Sequence, residues 1–289
     1  MGTFLFVNPS SGSYSAKRIN EVSNRLKAVG MTPTIHLVRN PDEVRACCTT
    51  MYESDPQPLV IVAAGDGTIN VVLNCLIPGS STVLAVIPMG TSNVLAAELG
   101  IRSLDDSLQR ILRGDTRPLS VGRLDLFNMR YRFALMAGIG LDGAVVRDVR
   151  DAEKAMLRQG AYLLSALKNA CRWDTDTIEV VTATETVTCH TAVVCNASRY
   201  GGNFVLAPEC NLFTPGFTVA CIQGNGRRAC LGAALDLVRG NGGSSRYIHR
   251  ITCQEVEIRG YRPIQIDGDF VGYSPAKLVA VNDVCRIIV

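Results

Sequence analysis

The sequence predicts an α/β protein with two lobes, the first a sheet covered by helices and the second rich in β-strands. Its 289 residues suit two ordinary domains of about 100 to 200 residues each. Short apolar runs alternate with helical stretches in the first third, and β-rich segments punctuated by Gly, Asn and Pro follow Pro118. Alternation of strand and helix predicts a parallel sheet with helices on both faces.

Four strands and four helices are predicted in the first lobe. The strands are apolar runs at residues 3–7, 34–38, 59–63 and 82–87, and the helices cover residues 15–29, 41–52, 68–76 and 92–99. Ligands of such sheets bind in the loops beyond the carboxyl ends of the strands. The strand-to-helix turns are therefore the first places to search for a site.

The second lobe is predicted to be an antiparallel β lobe. Its β-type segments lie at residues 131–137, 177–182, 186–196, 217–221 and 255–259, and one helix is predicted over residues 152–172. The apolar run 283–289 is predicted to be a strand that returns to a sheet. We expect residues 1–119, joined by residues 280–289, to form the first lobe and residues 120–279 the second.

Composition excludes several classes of protein. An apolar fraction of 47% and a charged fraction of 19% are typical of a globular chain with a substantial core. The net charge of +3 is spread along the chain, which argues against nucleic acid as a partner. There is no charged leader at the start and no uninterrupted apolar stretch of about 18 residues, so we expect neither secretion nor a membrane span.

The 11 cysteines are scattered through apolar runs and never form a CxxC pair. This pattern favours reduced, mostly buried thiols over disulfides or zinc ligands. It predicts a cytoplasmic protein.

The strongest chemical signal is a buried strand that runs into Gly65-Asp66-Gly67-Thr68 and then into a helix. Glycines let backbone N–H groups approach phosphate oxygens, and a helix N-terminus adds a favourable dipole. A carboxylate in such a turn would repel phosphate unless it binds Mg²⁺ or handles a proton. An ordinary Asp-Gly turn with a helix-capping Asp66 is the alternative interpretation.

Two further turns of small residues follow neighbouring strands. Gly90 and Thr91 lie after the strand at residues 82–87, and residues 8–12, Asn-Pro-Ser-Ser-Gly, follow the first strand. Each alone is compatible with an ordinary capped turn. Three such turns at one edge of a parallel sheet indicate a phosphate-binding edge.

In these motifs the chain resembles the diacylglycerol kinase catalytic-domain family, which includes bacterial lipid kinases and sphingosine kinases. The matching segments occur in the family's order and spacing from residue 3 to about residue 280. They are residues 8–12, 65–68 (GDGT), 88–93 (PMGTSN), 138–142 (GIGLD) and 265–269 (QIDGD).

The resemblance implies a Rossmann-like first lobe, a β-sandwich-like second lobe and a nucleotide site in the cleft between them. It also implies ATP as donor, accompanied by Mg²⁺, and a lipid alcohol such as diacylglycerol as acceptor. Asp66 is then expected to be the carboxylate at the metal or phosphate site. The residues expected to bind the nucleotide are Asn8, Pro9, Ser10, Ser11, Gly12, Gly65, Asp66, Gly67, Thr68, Asn70, Gly90 and Thr91.

The general base is expected in the Asp267-Gly268-Asp269 segment, because phosphoryl transfer needs a carboxylate to accept the hydroxyl proton. Asp267 is the first candidate, Asp269 the second, and Asp66 takes their place if neither acts. Alternation along a strand would point Asp267 and Asp269 to the same side. A solvated turn between strands is the alternative interpretation.

The chain also departs from the family pattern. Val71 and Val94 stand where the family often has glutamate and aspartate, Ala64 replaces a glycine, and Asp269 replaces the glutamate of the usual Asp-Gly-Glu. Two other functions therefore stay open: a kinase of a soluble acceptor such as NAD, and a catalytically silent lipid-binding member of the fold.

Membrane contact is a further hypothesis from the sequence. Residues 147–172 combine basic and apolar side chains and are followed by Trp173, the only tryptophan. A basic amphipathic helix of this kind can lie at the headgroup surface, which predicts peripheral contact with the inner face of a membrane. An ordinary packing helix is the alternative, and both a monomer and a homo-oligomer remain open.

Overall fold

The computed structural model describes residues 2–148, 175–202, 204–223 and 226–289. The helix predicted over residues 152–172, most of the basic segment 147–172 and Trp173 lie outside these residues. The chain divides into two compact units, Met1–Ser120 with Asn282–Val289, and Val121–Val281. No helix in the described part of the chain is long and apolar enough to cross a membrane.

The first unit is built on a parallel sheet with strand order β2-β1-β3-β4. The end of the last strand, β17, pairs in parallel with β4 through Arg286 and Ile287. The strands, numbered in chain order, are β1 (Thr3–Val7), β2 (Thr34–Leu37), β3 (Leu59–Ala64), β4 (Val83–Pro88) and β17 (Ala276–Ile288).

Five helices connect or follow these strands, and three of them begin after a residue whose side chain caps the helix. Ser15, Asn40 and Ser103 each accept a hydrogen bond from a first-turn amide of the helix that follows. The helices are α1 (Ala16–Lys27), α2 (Pro41–Ser54), α3 (Asp66–Cys75), α4 (Val94–Glu98) and α5 (Leu104–Arg113).

The core of the first unit lies between the sheet and its helices. Leu5 of β1, Ile61 of β3 and Ile87 of β4 pack in one buried cluster with Val22 and Leu26 of α1. This arrangement follows from the sequence, because β3 is apolar at every position and α1 is apolar on one stripe only.

Two helix starts differ from the predicted ones. Helix α3 begins at Asp66 rather than residue 68, so the GDGT motif forms its first turn. Helix α4 begins at Val94 rather than residue 92, because Asn93 has a left-handed backbone with φ 45° that cannot continue a helix.

In its described residues, the second unit is an antiparallel β structure with two α-helices. Its main sheet has the order β16-β15-β7-β9-β8-β14-β17, β9 also pairs with β12 and β12 with β13, and β5 pairs with β6. The strands are β5 (Thr116–Leu126), β6 (Met129–Phe133), β7 (Met136–Ile139), β8 (Ile178–Val181), β9 (Thr186–Cys195), β10 (Arg199–Tyr200), β11 (Phe204–Val205), β12 (Phe217–Gln223), β13 (Ile248–Cys253), β14 (Glu255–Arg259), β15 (Pro263–Ile266) and β16 (Asp269–Tyr273). The helices are α6 (Leu141–Asp148) and α7 (Arg227–Val238).

Buried side chains from most of these strands form one core cluster. Within it, Phe133 of β6 and Phe217 of β12 stack with ring centroids 5.9 Å apart. The single strand predicted at residues 131–137 is wrong, because β6 ends at Phe133 and β7 starts at Met136. The amides of residues 134–136, where the two strands separate, donate to the Asp267 carboxylate.

Candidate active site

The GDGT motif links β3 to α3 and leaves the start of that helix without a side-chain cap. Gly65 is the N-cap residue and makes no capping hydrogen bond, so the first-turn amides of α3 face outward from the helix end. Gly67 is exposed at this point. A helix N-terminus in this state attracts an anion through its amides and its dipole.

Asp66 caps the neighbouring helix instead of its own. Its carboxylate accepts hydrogen bonds from the amides of Val94 (2.9 Å) and Leu95 (3.1 Å), the first two residues of α4. Asn93 cannot serve as this cap, because its side chain bonds back to Gly90. The carboxylate therefore joins the turn after β3 to the helix after β4.

The same two turns touch through their glycines. A Cβ atom added to Gly90 would lie 2.5 Å from the Cα atom of Gly65, and one added to Gly65 would lie 3.1 Å from the Cα atom of Gly90. No larger residue fits between the two backbones without movement. This contact explains why both motifs need glycine at these positions.

The loop after β1 is tied to both turns. The Asn8 side chain donates to the Thr68 hydroxyl (2.9 Å) and accepts from the Ser10 amide (2.8 Å). The amide and the hydroxyl of Ser13 both donate to the Met89 carbonyl, at 3.0 and 3.1 Å. The structure thus brings the three predicted small-residue turns together at the carboxyl edge of the sheet.

The remaining residues predicted to bind the nucleotide have varied surroundings. Ser10, Gly12 and Thr91 are exposed, and Pro9 and Ser11 are half-buried beside Asn8. Asn70 is buried on α3, and its side-chain oxygen accepts a hydrogen bond from Asn74 one turn later. Asn70 therefore lies within the helix packing rather than at the outer surface of the turn.

In the second unit the Asp267-Gly268 pair is the turn of a two-residue hairpin between β15 and β16. Ile266 pairs with Asp269, and both turn residues have positive φ, 47° for Asp267 and 92° for Gly268. This is the geometry that Asp-Gly favours in tight hairpins. The prediction that Asp267 and Asp269 alternate along one strand is therefore wrong: Asp267 lies in the turn and Asp269 opens β16.

The Asp267 carboxylate holds the break between β6 and β7. It accepts hydrogen bonds from the amides of Ala134 (2.8 Å), Leu135 (3.0 Å) and Met136 (2.9 Å). Three amide donors on one carboxylate make a strong, charge-assisted anchor. Asp269 is exposed at the start of β16.

A polar network that the sequence did not predict supports this hairpin. Buried Gln265 accepts from the Gly268 amide (2.8 Å) and donates to Asp142 (2.7 Å), which also accepts a hydrogen bond from the Tyr200 hydroxyl. Burial raises the pKa of the Asp142 carboxyl, and the hydrogen bonds from Tyr200 and Gln265 oppose part of that rise. The sequence feature that could have indicated this network is the GIGLD motif. Its Gly138 leaves room for the Asp142 side chain, because a Cβ atom on Gly138 would lie 1.6 Å from an Asp142 carboxylate oxygen.

The described residues contain no group of three or more His, Cys, Asp or Glu side chains able to hold a metal ion. In kinases Mg²⁺ is commonly held by one or two carboxylates together with the phosphates of the nucleotide.

Comparison with known proteins covers both units. Residues 2–124 match the diacylglycerol kinase catalytic domain, and residues 136–289 match the YegS C-terminal NAD kinase beta sandwich-like domain. A diacylglycerol kinase of Bacillus subtilis is 26% identical over 285 residues, covering 95% of this chain and 92% of that protein.

Solved structures share the fold. A diacylglycerol kinase of Bacillus anthracis superposes with a TM-score of 0.74 at 16% identity, covering 99% of this chain and 96% of that one. An NAD kinase of Archaeoglobus fulgidus solved with ATP gives a TM-score of 0.50 at 10% identity, covering 99% of this chain and 93% of that one. The predicted fold class is confirmed.

These matches define the class of protein as a lipid kinase, a phosphotransferase that acts on a lipid alcohol. Its family implies ATP as the phosphoryl donor. The chain belongs to the diacylglycerol kinase family, in the form that carries a YegS-type C-terminal domain. A soluble acceptor such as NAD and a catalytically silent role are not favoured, since a relative that matches along 95% of this chain is named as a diacylglycerol kinase.

Proposed function

We propose that the chain phosphorylates diacylglycerol with ATP, using the three joined turns of the first unit for the phosphates and the Asp267-Gly268-Asp269 hairpin of the second unit for the proton. The observation that carries the proposal is the hydrogen bonding that ties Asn8, Asp66 and Ser13 to their neighbouring turns. Phosphoryl transfer depends mainly on positioning and charge stabilisation, and a rigid set of backbone donors supplies both.

In this proposal the first-turn amides of α3 bind the phosphate oxygens. Exposed Gly67 leaves the first turn open to a bulky anion. Gly65 and Gly90 keep the two turns close together. The loop of residues 8–12 and Thr91 add hydroxyl and amide donors. Asn70 supports the motif from inside α3 rather than by contacting the nucleotide.

Asp66 fits a role at the magnesium ion that accompanies ATP. Each of its two oxygens accepts one backbone hydrogen bond, and a carboxylate oxygen has a second lone pair. The α4 amides hold the carboxylate in place, and the cation, when bound, neutralises phosphate charge. Val94, at the start of α4, has no carboxylate and contributes only its amide. Asp66 therefore supplies the carboxylate where the two turns meet.

We assign the proton acceptor to Asp269 and a positioning role to Asp267. The three amides that bind Asp267 hold its carboxylate inside the turn, with two of them on Oδ1, and so fix the hairpin. Asp269 is exposed one residue beyond the turn, where a hydroxyl group can reach it. The network from Tyr200 through Asp142 and Gln265 to the Gly268 amide holds the hairpin from its other side.

The acceptor of the reaction is tested with ATP labelled in its terminal phosphate. Diacylglycerol in mixed micelles, NAD and a blank without acceptor are compared, each with and without Mg²⁺. We expect label in a lipid phosphate only with diacylglycerol and Mg²⁺. Labelled NAD phosphate, or release of inorganic phosphate alone, would contradict the proposal.

A diacylglycerol acceptor resides in a membrane, so we propose peripheral contact with the inner face of a membrane by a chain located in the cytoplasm. The basic segment 147–172 remains a sequence-based candidate for such contact.

A further inference from the structure

Helix α7 carries an apolar stripe that points to solvent. Leu231, Leu235 and Val238 are 60%, 48% and 66% exposed, and Ala234 between them is exposed too. The spacing i, i+3, i+4, i+7 places these four side chains in one row about 10 Å long. Apolar rows with this spacing normally face a protein core, so an exposed row needs another explanation.

The stripe is not the result of a loosely held helix. Cys230 and Ala233 on the adjacent face are buried, and Gly232 packs so tightly on the Tyr247 ring that a Cβ atom would lie 2.4 Å from it. Asp236 accepts a hydrogen bond from the Ser245 hydroxyl (2.7 Å), which ties the helix to the segment before β13. The packing thus fixes which face of α7 remains outside.

Positive charge accompanies the stripe. Arg228 and Arg239 lie about 60 to 80° around the helix axis from Leu231, given 100° per residue, and both are exposed. Leu235 of the stripe and Arg239 line an open hollow of about 530 Å³, together with Asp236, Ser244, Arg246 and Tyr247. Arg246 stands over the Tyr247 ring, 4.9 Å from its centroid, and donates to the Tyr247 hydroxyl.

We propose that α7 docks in the plane of an anionic membrane leaflet, with Leu231, Leu235 and Val238 among the acyl chains and the arginines at the lipid phosphates. An apolar row beside exposed guanidinium groups complements the acyl boundary and the negative headgroups of such a surface. The inference rests on the membrane-borne acceptor of the proposed function.

A second copy of the chain fits the α7 stripe less well than a membrane does. Three side chains provide far less than the roughly 800 Å² per partner of an ordinary stable interface. Arginines on both copies would also face one another across a symmetric contact. The membrane is therefore the partner that both the area and the charge favour.

The test measures co-sedimentation with vesicles of phosphatidylcholine, alone or with phosphatidylglycerol, without ATP or diacylglycerol. Wild type is expected to bind the anionic vesicles and to lose binding as salt is raised. Leu231→Gln with Leu235→Gln should weaken binding about tenfold or more, because two apolar side chains no longer insert. Arg228→Gln with Arg239→Gln should do the same for anionic vesicles only.

The matched control is Val29→Gln with Ile77→Gln, two apolar residues that are 51% and 52% exposed in the first unit. It should bind like wild type. An equal loss in the control, or unchanged binding in both α7 variants, would overturn the proposal. Sedimentation velocity tests the alternative of a second copy. If the wild type is a dimer and Leu231→Gln with Leu235→Gln makes it a monomer, the stripe is a protein contact and the membrane proposal is overturned.

Val238→Trp provides a measurement that keeps an apolar side chain at every position of the stripe. Its fluorescence, after subtraction of the wild-type signal, should shift to shorter wavelength when anionic vesicles are added. An unshifted signal would overturn docking through α7 even if other variants fold poorly. Because none of these measurements involves turnover, vesicle binding without phosphorylation would count against the proposed function and leave this inference standing.

Discussion

At the scale of single residues, Asp66 shows how one carboxylate can serve structure and chemistry together. Its hydrogen bonds to Val94 and Leu95 give α4 the cap that Asn93 cannot supply. The alternative interpretation, in which Asp66 caps the helix of its own turn, is wrong, because Gly65 is the N-cap of α3 and the Asp66 carboxylate caps the helix that begins 28 residues later. The capping geometry also holds the carboxylate at the edge where we propose that phosphates bind.

Substitutions at Asp66 separate these two roles. Asp66→Asn keeps one of the two acceptor oxygens and places an NH₂ group beside the other amide, and Asp66→Ala keeps neither oxygen. Both variants should therefore lose stability, by about 1 kcal/mol with the cap. Transfer to diacylglycerol should fall by about 10² or more in both variants, because neither retains a negative charge for the cation. Urea unfolding and initial rates measure the two effects, with exposed Asp42→Asn as control. Wild-type turnover in Asp66→Asn would leave Asp66 a structural role only.

Asp142 should make stability depend on pH through its contact with Tyr200. The pKa of the folded carboxyl lies above its ordinary value, so between those two values the folded chain keeps a proton that the unfolded chain has released. Stability from this group therefore falls as pH rises through that window. Tyr200→Phe removes one donor to the carboxylate, which raises the folded pKa further and extends the window upward.

We expect Tyr200→Phe to cost about 1 to 3 kcal/mol at neutral pH, the cost of leaving a buried acceptor unsatisfied. The loss should be smaller at pH 5 than at pH 8, since protonation relieves it. Urea midpoints of wild type and variant at both pH values test this. A loss that is constant across the range, or larger in acid, would show that the carboxyl does not titrate in this way.

At the scale of elements, the β15–β16 hairpin depends on Asp267 more than on its own strands. The carboxylate reaches the amides of residues 134–136, more than 130 positions earlier in the chain. This contact divides the segment predicted as one strand into β6 and β7. Neither the break nor its cause could be predicted from local pattern, because alternation carries no information about a partner so distant in sequence.

Asp267→Asn should therefore destabilise the fold rather than act on chemistry alone. An asparagine offers one oxygen and places an NH₂ group among amide donors, so we expect a loss of about 2 to 3 kcal/mol. Chemical unfolding measures it against Asp42→Asn. An unchanged unfolding midpoint would mean that the three amides find other partners and that the hairpin is held elsewhere.

At the scale of the whole molecule, the elements with strong periodicity and the shared edge of the three small-residue turns could be predicted, whereas the individual contacts between elements could not. The strands at residues 3–7 and 59–63 and the helix from residue 41 lie where the pattern places them, because apolar runs and caps act locally. The family resemblance is confirmed by matches in both units. The glycine contact between residues 65 and 90, the Asp142 network and the exposed face of α7 arise only when distant segments pack.

The most direct test of the proposed mechanism is the rate of phosphoryl transfer to diacylglycerol by Asp269→Asn, measured beside wild type and Asp42→Asn at saturating ATP. Removing a general base commonly costs about 10² to 10⁴ in rate. We expect turnover to fall within that range while ATP affinity and the unfolding midpoint stay near wild type, since Asp269 is exposed and does not form the hairpin turn. Near-normal turnover in Asp269→Asn would contradict the assignment and make Asp267 or Asp66 the candidate for the general base.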